Sequence, residues 1–402
     1  MDGDPAVEPQ LDSFSLAFPL PFRVGFIVTL AVWGWGANLH ILHFCNIDVP
    51  ALIRYPGRAS PHHAPHHFST YRLGALLTAL FAAAMTLFWL LTWRVPSRVI
   101  EYDWVPMMYL VAVVAAFVLP LRDLPGRGRR RFLATLRRVS LGGIAEAADG
   151  RFGDILLADV LTSYAKVCGD LFVTTCMFLS RGGSSTERPD RNCGGTVMVP
   201  LLMAVPSMIR FRQCIIEYLR VRRAPYKEST GWGGQHLANA AKYSTAFPVI
   251  VASTLQRSTQ DAAAKATYNR AWLVAVVVNS LYSFYWDVAK DWDLTLFSSR
   301  HERNSPQHEW GLRDRLVFRT PTLYYVAVVL DLVLRCSWSM KLSPHLSRFG
   351  DFESGIFLVE FLEVFRRWVW IFFRVETEWI RSSATSMAVD DILLGDYHDD
   401  DG

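Results

Sequence analysis

Arg366 and Arg367 stand side by side, with Glu363 one helical turn before them, inside Gly355–Arg374, an apolar stretch long enough to cross a membrane. An ionised side chain in hydrocarbon is costly, so such residues usually face a bundle interior or a watery cavity and mark a pathway. Two adjacent guanidiniums are suited to holding an anion. Residues three, four and seven apart share one face of a helix. By that spacing Glu363, Arg366, Arg367, Trp370 and Arg374 form one polar stripe, and Asp159, Thr162, Ser163, Lys166 and Asp170 form another. Asp331, Arg335 and Trp338 make a third, and Asp287 and Asp291 lie four apart between Trp286 and Trp292. Arg210 and Lys242, the latter next to Tyr243, sit in two further apolar stretches.

Arginine presents a planar fork of donors that matches a tetrahedral oxyanion, and lysine adds a point charge. Carboxylates among them would neutralise the empty site and take the arginines back on release. Intramembrane Asp–Arg pairs also join helices, and long side chains near span ends snorkel to the interface. Arg374, Asp287 and Arg220 are assigned to that interfacial role. Arg335, Arg366 and Arg367 sit deeper, and an excess of cations there assigns them to a pathway for a small inorganic anion.

The elements that must position these residues are membrane helices. Of 402 residues, 51% are hydrophobic and 14 are Trp. Apolar stretches near the roughly 20 residues of a span recur along the chain. They run over 21–44, 73–93, 104–121, 155–179, 196–218, 236–256, 270–290, 321–341 and 354–374. The expected fold is all-α, a polytopic integral membrane bundle of about nine spans, eight to ten, with a short tail at 1–20, the bundle at 21–378 and an acidic tail at 379–402. Lys and Arg number about 21 in one set of loops and about 9 in the other, which predicts a lumenal or external N-terminus and a cytosolic C-terminus. The net charge of +4 reflects that bias and points to no nucleic acid.

Met1–Phe14 lacks the basic start of a signal peptide, so the first span is expected to target the chain. The six cysteines cluster in or beside spans and predict no disulfide framework; only Cys193 falls in a lumenal loop. His62, His63, His66 and His67 surround Pro65 without a second ligand arm, so no metal is assigned. No nucleotide loop, nucleophile elbow or zinc-protease motif is present, and no enzyme or cofactor is expected. Arg122–Arg138, interrupted by Phe132, Leu133 and Leu136, reads as a topology-setting basic loop on the cytosolic side, the alternative being a helix at the interface that attracts anionic membrane lipids. Asp390–Asp401 is expected to be disordered, and Asp390-Asp391-Ile392-Leu393-Leu394 fits an acidic dileucine pattern read by coat adaptors.

Several ordered motifs resemble the EXS-domain family over about Phe22 to Glu378. They are Arg210-Phe211-Arg212-Gln213-Cys214, His236 to Thr245, Trp286-Asp287 with Asp291-Trp292, Asp331 to Trp338, and Glu363-Val364-Phe365-Arg366-Arg367 with Arg374, Glu376 and Glu378. The family includes the retroviral-receptor phosphate exporter of animals, plant phosphate exporters and the fungal ER-retention-defective proteins. It implies transport of inorganic phosphate, with Asp159, Arg210, Lys242, Tyr243, Asp291, Arg335, Trp338, Glu363, Arg366 and Arg367 matching residues along its route. Thr162 stands where the exporters have Asn, and Ala165 where they have Ser. Only about 20 residues precede the first span, too few for the exporters' SPX sensor domain. The short form resembles the fungal Golgi branch. That resemblance implies recovery of lumenal phosphate left by glycosylation, retention of Golgi glycosyltransferases and ER residents, and a homodimer. The alternative expectation is a sorting protein that binds glycosyltransferase cargo or a coat adaptor without transporting.

Overall fold

A computed structural model describes residues 11–54, 66–120, 126–146, 149–223, 233–298, 311–337 and 353–395, with side chains to residue 383. The described residues are helical, with no strand among them. In order they form α1 (Ser13–Ala17), α2 (Leu20–Phe44), α3 (Val49–Leu52), α4 (His66–Thr92), α5 (Pro96–Glu101), α6 (Trp104–Val118), α7 (Gly126–Ser140), α8 (Arg151–Ser163) and α9 (Ala165–Leu179). Then follow α10 (Met198–Arg223), α11 (Gly234–Ser244), α12 (Ala246–Ser258), α13 (Ala262–Trp286) with a π turn at Asp287–Asp291, α14 (Pro321–Arg335) and α15 (Glu353–Gly395).

Four of these helices are long and apolar enough to cross a membrane: Leu20–Phe44, His66–Thr92, Met198–Arg223 and Ala262–Asp291; Trp104–Val118 is a shorter apolar helix. Two stretches expected to be single spans are each broken in the middle. The first breaks at Tyr164 between α8 and α9, where the Tyr164 N–H bonds back only to Leu161. The second breaks at Thr245 between α11 and α12, where the Thr245 hydroxyl donates to the Lys242 carbonyl at 2.6 Å. Such side-chain bonds take a carbonyl that would otherwise be left over where the helix is interrupted.

The surface is apolar where a soluble protein's would be polar. On α14, Val326, Val329 and Val333 are 56%, 60% and 60% exposed, whereas Asp331 on the opposite face is 3% exposed. This inside-out distribution fits a helix with lipid outside and a polar interior.

α2, α4 and α6 form one subgroup around Phe22, Ile27, Leu77, Phe88 and Tyr109. Gly25 permits it: a Cβ there would lie 2.2 Å from the Tyr109 ring, which stacks on Phe22. A second apolar core of Trp292, Tyr324, Trp370 and Phe373 binds α14 and the π turn to α15. Gly34 of α2 lets α15 close in, with the Trp368 indole donating to the Gly34 carbonyl at 3.0 Å. At about 1.5 Å per residue, the 43 residues of α15 extend for about 64 Å, well past one bilayer core. Its helix continues to Gly395, into the segment expected to be disordered; the dileucine side chains lie outside the described residues.

The basic segment forms α7, and its arginines do local work. Arg129 donates to the carbonyls of Ala116 and Leu119 at the end of α6, and Arg138 pairs with the fully buried Asp154 of α8. The cysteine expectation needs correction. Cys176 and Cys193 form a disulfide, Cα atoms 6.1 Å apart, that ties the end of α9 to the following connection. Cys176 lies within the last turn of α9 and so reaches the loop that carries Cys193. Among the histidines, the His67 ring stacks on His40 at 4.2 Å, while His62 and His63 lie outside the described residues.

Candidate functional site

α15 brings its stripe against the broken helices, the π turn and α14. Arg366 is 3% exposed and chelates Glu363, with Nε to Oε2 at 3.0 Å and Nη2 to Oε1 at 2.6 Å. Its Nη1 reaches across to Asp331 at 2.9 Å and to Asp287 at 3.4 Å. Arg335 donates to Asp331 at 3.0 Å and also to Asp287. Lys242 Nζ completes the group, 3.1 Å from Asp287 and 3.5 Å from Asp291. Asp287 is thus the hub, entirely buried and shared by cations from three helices. The π turn that continues α13 carries both Asp287 and Asp291 to Lys242, a local distortion of the kind often found at functional sites.

A second group is built at the breaks. Asp159 of α8 accepts from Arg210 Nε of α10 at 2.7 Å and from the Tyr243 hydroxyl of α11. The Tyr243 ring lies 4.9 Å from the Arg210 guanidinium carbon and 5.1 Å from Lys242 Nζ, so it sits between the two groups. Arg367 joins them. Its Nε donates to Ser163 at 2.9 Å and its Nη2 to Thr162 at 3.2 Å, while its guanidinium packs over Trp370 at 4.5 Å. Ser163 in turn donates to Glu363 at 2.7 Å, closing a circuit between α8 and α15.

Five cations, Arg210, Lys242, Arg335, Arg366 and Arg367, therefore meet five carboxylates, Asp159, Asp287, Asp291, Asp331 and Glu363. The expected cation surplus is absent. Buried charges this deep in a bundle need partners, and the cluster supplies them internally. Arg367 is the exception. It is 5% exposed, forms no ion pair within 4 Å among the described residues, and its Nη1 has no hydrogen-bond partner. A buried guanidinium held by two hydroxyls and an aromatic face has spare donor capacity for an oxyanion. The void between Trp292, Asp331, Arg366 and Val369 is too tight for a water molecule, so an anion reaching Arg366 must displace a carboxylate.

The structure brings together Asp159, Thr162, Arg210, Lys242, Tyr243, Asp291, Arg335, Glu363, Arg366 and Arg367; Trp338 lies outside the described residues. Asp287, assigned from sequence to the membrane interface, is instead the most shared carboxylate of the cluster. Its spacing of four from Asp291 was visible, but its depth depended on the π turn. Arg374 is also buried, pairing with Glu378 at 3.0 Å. Arg220 is half-buried, bound to Glu217 and to the Ile144 and Ala145 carbonyls in the connection before α8. Sequence reading left out Gln213, which accepts from Arg210 at 2.7 Å and donates to the Gly143 carbonyl at 2.9 Å. It lies three residues after Arg210, the spacing that would have pointed to it.

The chain is similar in sequence to several known proteins. Protein ERD1 homolog 1 of Schizosaccharomyces pombe is 31% identical over 382 residues, covering 93% of this chain and 94% of its own length. Protein ERD1 homolog 2 of the same yeast is 27% identical over 395 residues, covering 89% and 95%. Solute carrier family 53 member 1 of Homo sapiens is 29% identical over 269 residues, covering 62% of this chain and 36% of its own. The EXS family matches residues 18–380, which contain every member of the charged cluster. The chain belongs to the EXS family.

Proposed function

We propose that this chain carries inorganic phosphate across the Golgi membrane from lumen to cytosol. The observation that carries this reading is Arg367, a buried guanidinium with an unused donor beside a charge-balanced cluster. A tetrahedral oxyanion approaching Arg367 can replace Glu363, Asp331 or Asp287 on Arg366 and Arg335, and each released carboxylate can return when the anion leaves. Exchange of one anion for another keeps each arginine paired throughout. The breaks at Tyr164 and Thr245 lie next to Ser163 and Tyr243, where interrupted helices can shift with the bound ion. The phosphate gradient and the membrane potential supply a driving force.

About nine crossings with a lumenal N-terminus complete the reading, by hydropathy and loop charge. The Cys176–Cys193 disulfide supports a lumenal position for the segment after α9, because disulfides persist in oxidising compartments. The solute-carrier name of one relative agrees with transport, and phosphate and the Golgi follow from the family resemblance. Support of glycosyltransferase and ER-protein retention, and a homodimer, rest on that resemblance alone. The test is uptake and efflux of labelled phosphate in proteoliposomes of the purified chain, with sulfate as competitor. Saturable, protein-dependent flux that survives excess sulfate supports the reading; flux equal to that of protein-free vesicles removes it.

A further inference from the structure

A second charged ladder continues from the cluster along α15. Glu353, Glu360, Arg367 and Arg374 are spaced by seven and share one face. α8 and α9 run antiparallel to that face. Ser163 meets Glu363, and one turn further Lys166 meets Glu360, its Nζ 3.6 Å from Oε2 while also pairing with Asp170. At the far end Glu353 accepts from Arg23 at 2.8 Å and from Arg191 at 3.0 and 3.2 Å.

The charges along this ladder are unevenly divided. Two guanidiniums share one carboxylate at the outer end, and one ammonium serves two carboxylates further in. Asp170 and Glu360 are 5% and 6% exposed, so the inner pair is buried with one directly bound cation, Lys166, between them. Lys166 keeps 28% of its side-chain exposure, so it is not sealed between the two carboxylates. If the ammonium turns to an anion, both carboxylates lose their partner in low dielectric, and neutralising one of them removes that cost.

We propose that Glu360 is a proton-binding site coupled to anion passage past Lys166, so that the anion crosses together with a proton. A proton from the lumenal solution adds to a Glu360 carboxylate oxygen, Lys166 is released to the anion while Asp170 stays ionised, and the proton leaves when Lys166 returns. This rests on the phosphate-transport reading above. The groups that face Glu360 are consistent with it: Lys166 and Asp170 from α9, Arg23 from α2 with Asp12 behind it, and Arg191 from the connection after α9. On its own helix Glu353 and Glu363 are each occupied by arginines, and Tyr164 lies in the same apolar cluster as Phe361.

The test compares phosphate flux of the full chain and its Glu360→Gln variant in proteoliposomes, with lumenal-side pH varied from about 5.5 to about 8. Phosphate speciation is common to both proteins, so the flux ratio isolates Glu360. Gln mimics the protonated carboxyl, so the variant-to-wild-type ratio is expected near one at low pH, rising about fivefold or more at high pH, where wild-type Glu360 is ionised and holds Lys166. Asp170→Asn relieves the same lysine and is expected to move the ratio in the same direction, which covers a misfolded first variant. Ratios independent of pH for both folded variants overturn proton coupling while leaving phosphate transport standing. No flux in the wild-type chain overturns both.

Discussion

Arg367 Nε donates to Ser163 Oγ at 2.9 Å across 204 residues of sequence, and this bond fastens the long helix α15 to the residue where α8 ends. Its neighbour Arg366 is held by three carboxylates, whereas Arg367 is held only by hydroxyls and the Trp370 face. Two adjacent arginines therefore do different work: one locks the carboxylates of the cluster, and the other keeps a donor free.

This division predicts different outcomes for two similar substitutions. Arg366→Ala leaves Asp287, Asp331 and Glu363 short of a cation, and removing one partner from such a network costs about 3–5 kcal/mol. Arg366→Ala should lower both the thermal unfolding temperature in detergent and flux in vesicles. Arg367→Ala should lower the unfolding temperature less, because two hydroxyls and no carboxylate lose a direct partner.

The Asp159–Arg210–Tyr243 group should behave as a unit. Tyr243→Phe removes a hydrogen bond to a carboxylate, worth about 1.5–3 kcal/mol, without changing ring packing. In a double-mutant cycle with Asp159→Asn, stability should show a coupling above about 0.5 kcal/mol. Simple additivity would mean that the hydroxyl and carboxylate do not interact.

Gly25 should tolerate nothing larger. A methyl group there meets the Tyr109 ring, so Gly25→Ala should destabilise by about 1–3 kcal/mol and be rescued in part by Tyr109→Ala. Thermal unfolding of the single and double variants measures both effects.

The cysteine pair gives a chemical check on the fold and on sidedness. Without reductant, Cys176 and Cys193 should resist alkylation and appear as one cross-linked peptide in mass spectrometry, whereas reduction should free both. Cys176→Ser with Cys193→Ser should lower stability by about 2–4 kcal/mol.

Much of the cluster was legible because helical spacing puts Glu363, Arg366 and Arg367 on one face whatever the tertiary packing. The same rule exposed Asp331 with Arg335 and Asp159 with Thr162. What spacing could not reveal was backbone that leaves the helix. The break at Tyr164 carries no proline or glycine, and the π turn at Asp287–Asp291 has an ordinary helical sequence, whereas the break at Thr245 had a signal that spacing passes over, Pro248 in the first turn of α12. Those distortions set the depth of Asp287 and made it a hub. The charge balance was also hidden, since it depends on which carboxylates α8, the π turn, α14 and α15 deliver to one place. The disulfide was missed because Cys176 was counted as part of a span, although its place in the last turn of α9 puts it within reach of Cys193.

The most direct test of the account is phosphate flux through proteoliposomes of the wild-type chain against Arg367→Ala, at matched incorporation and unfolding temperature. Charge-assisted hydrogen bonds worth about 1.5–3 kcal/mol predict a loss of about 10- to 150-fold. Flux equal to wild type in the folded variant would contradict the assignment of Arg367 to the anion.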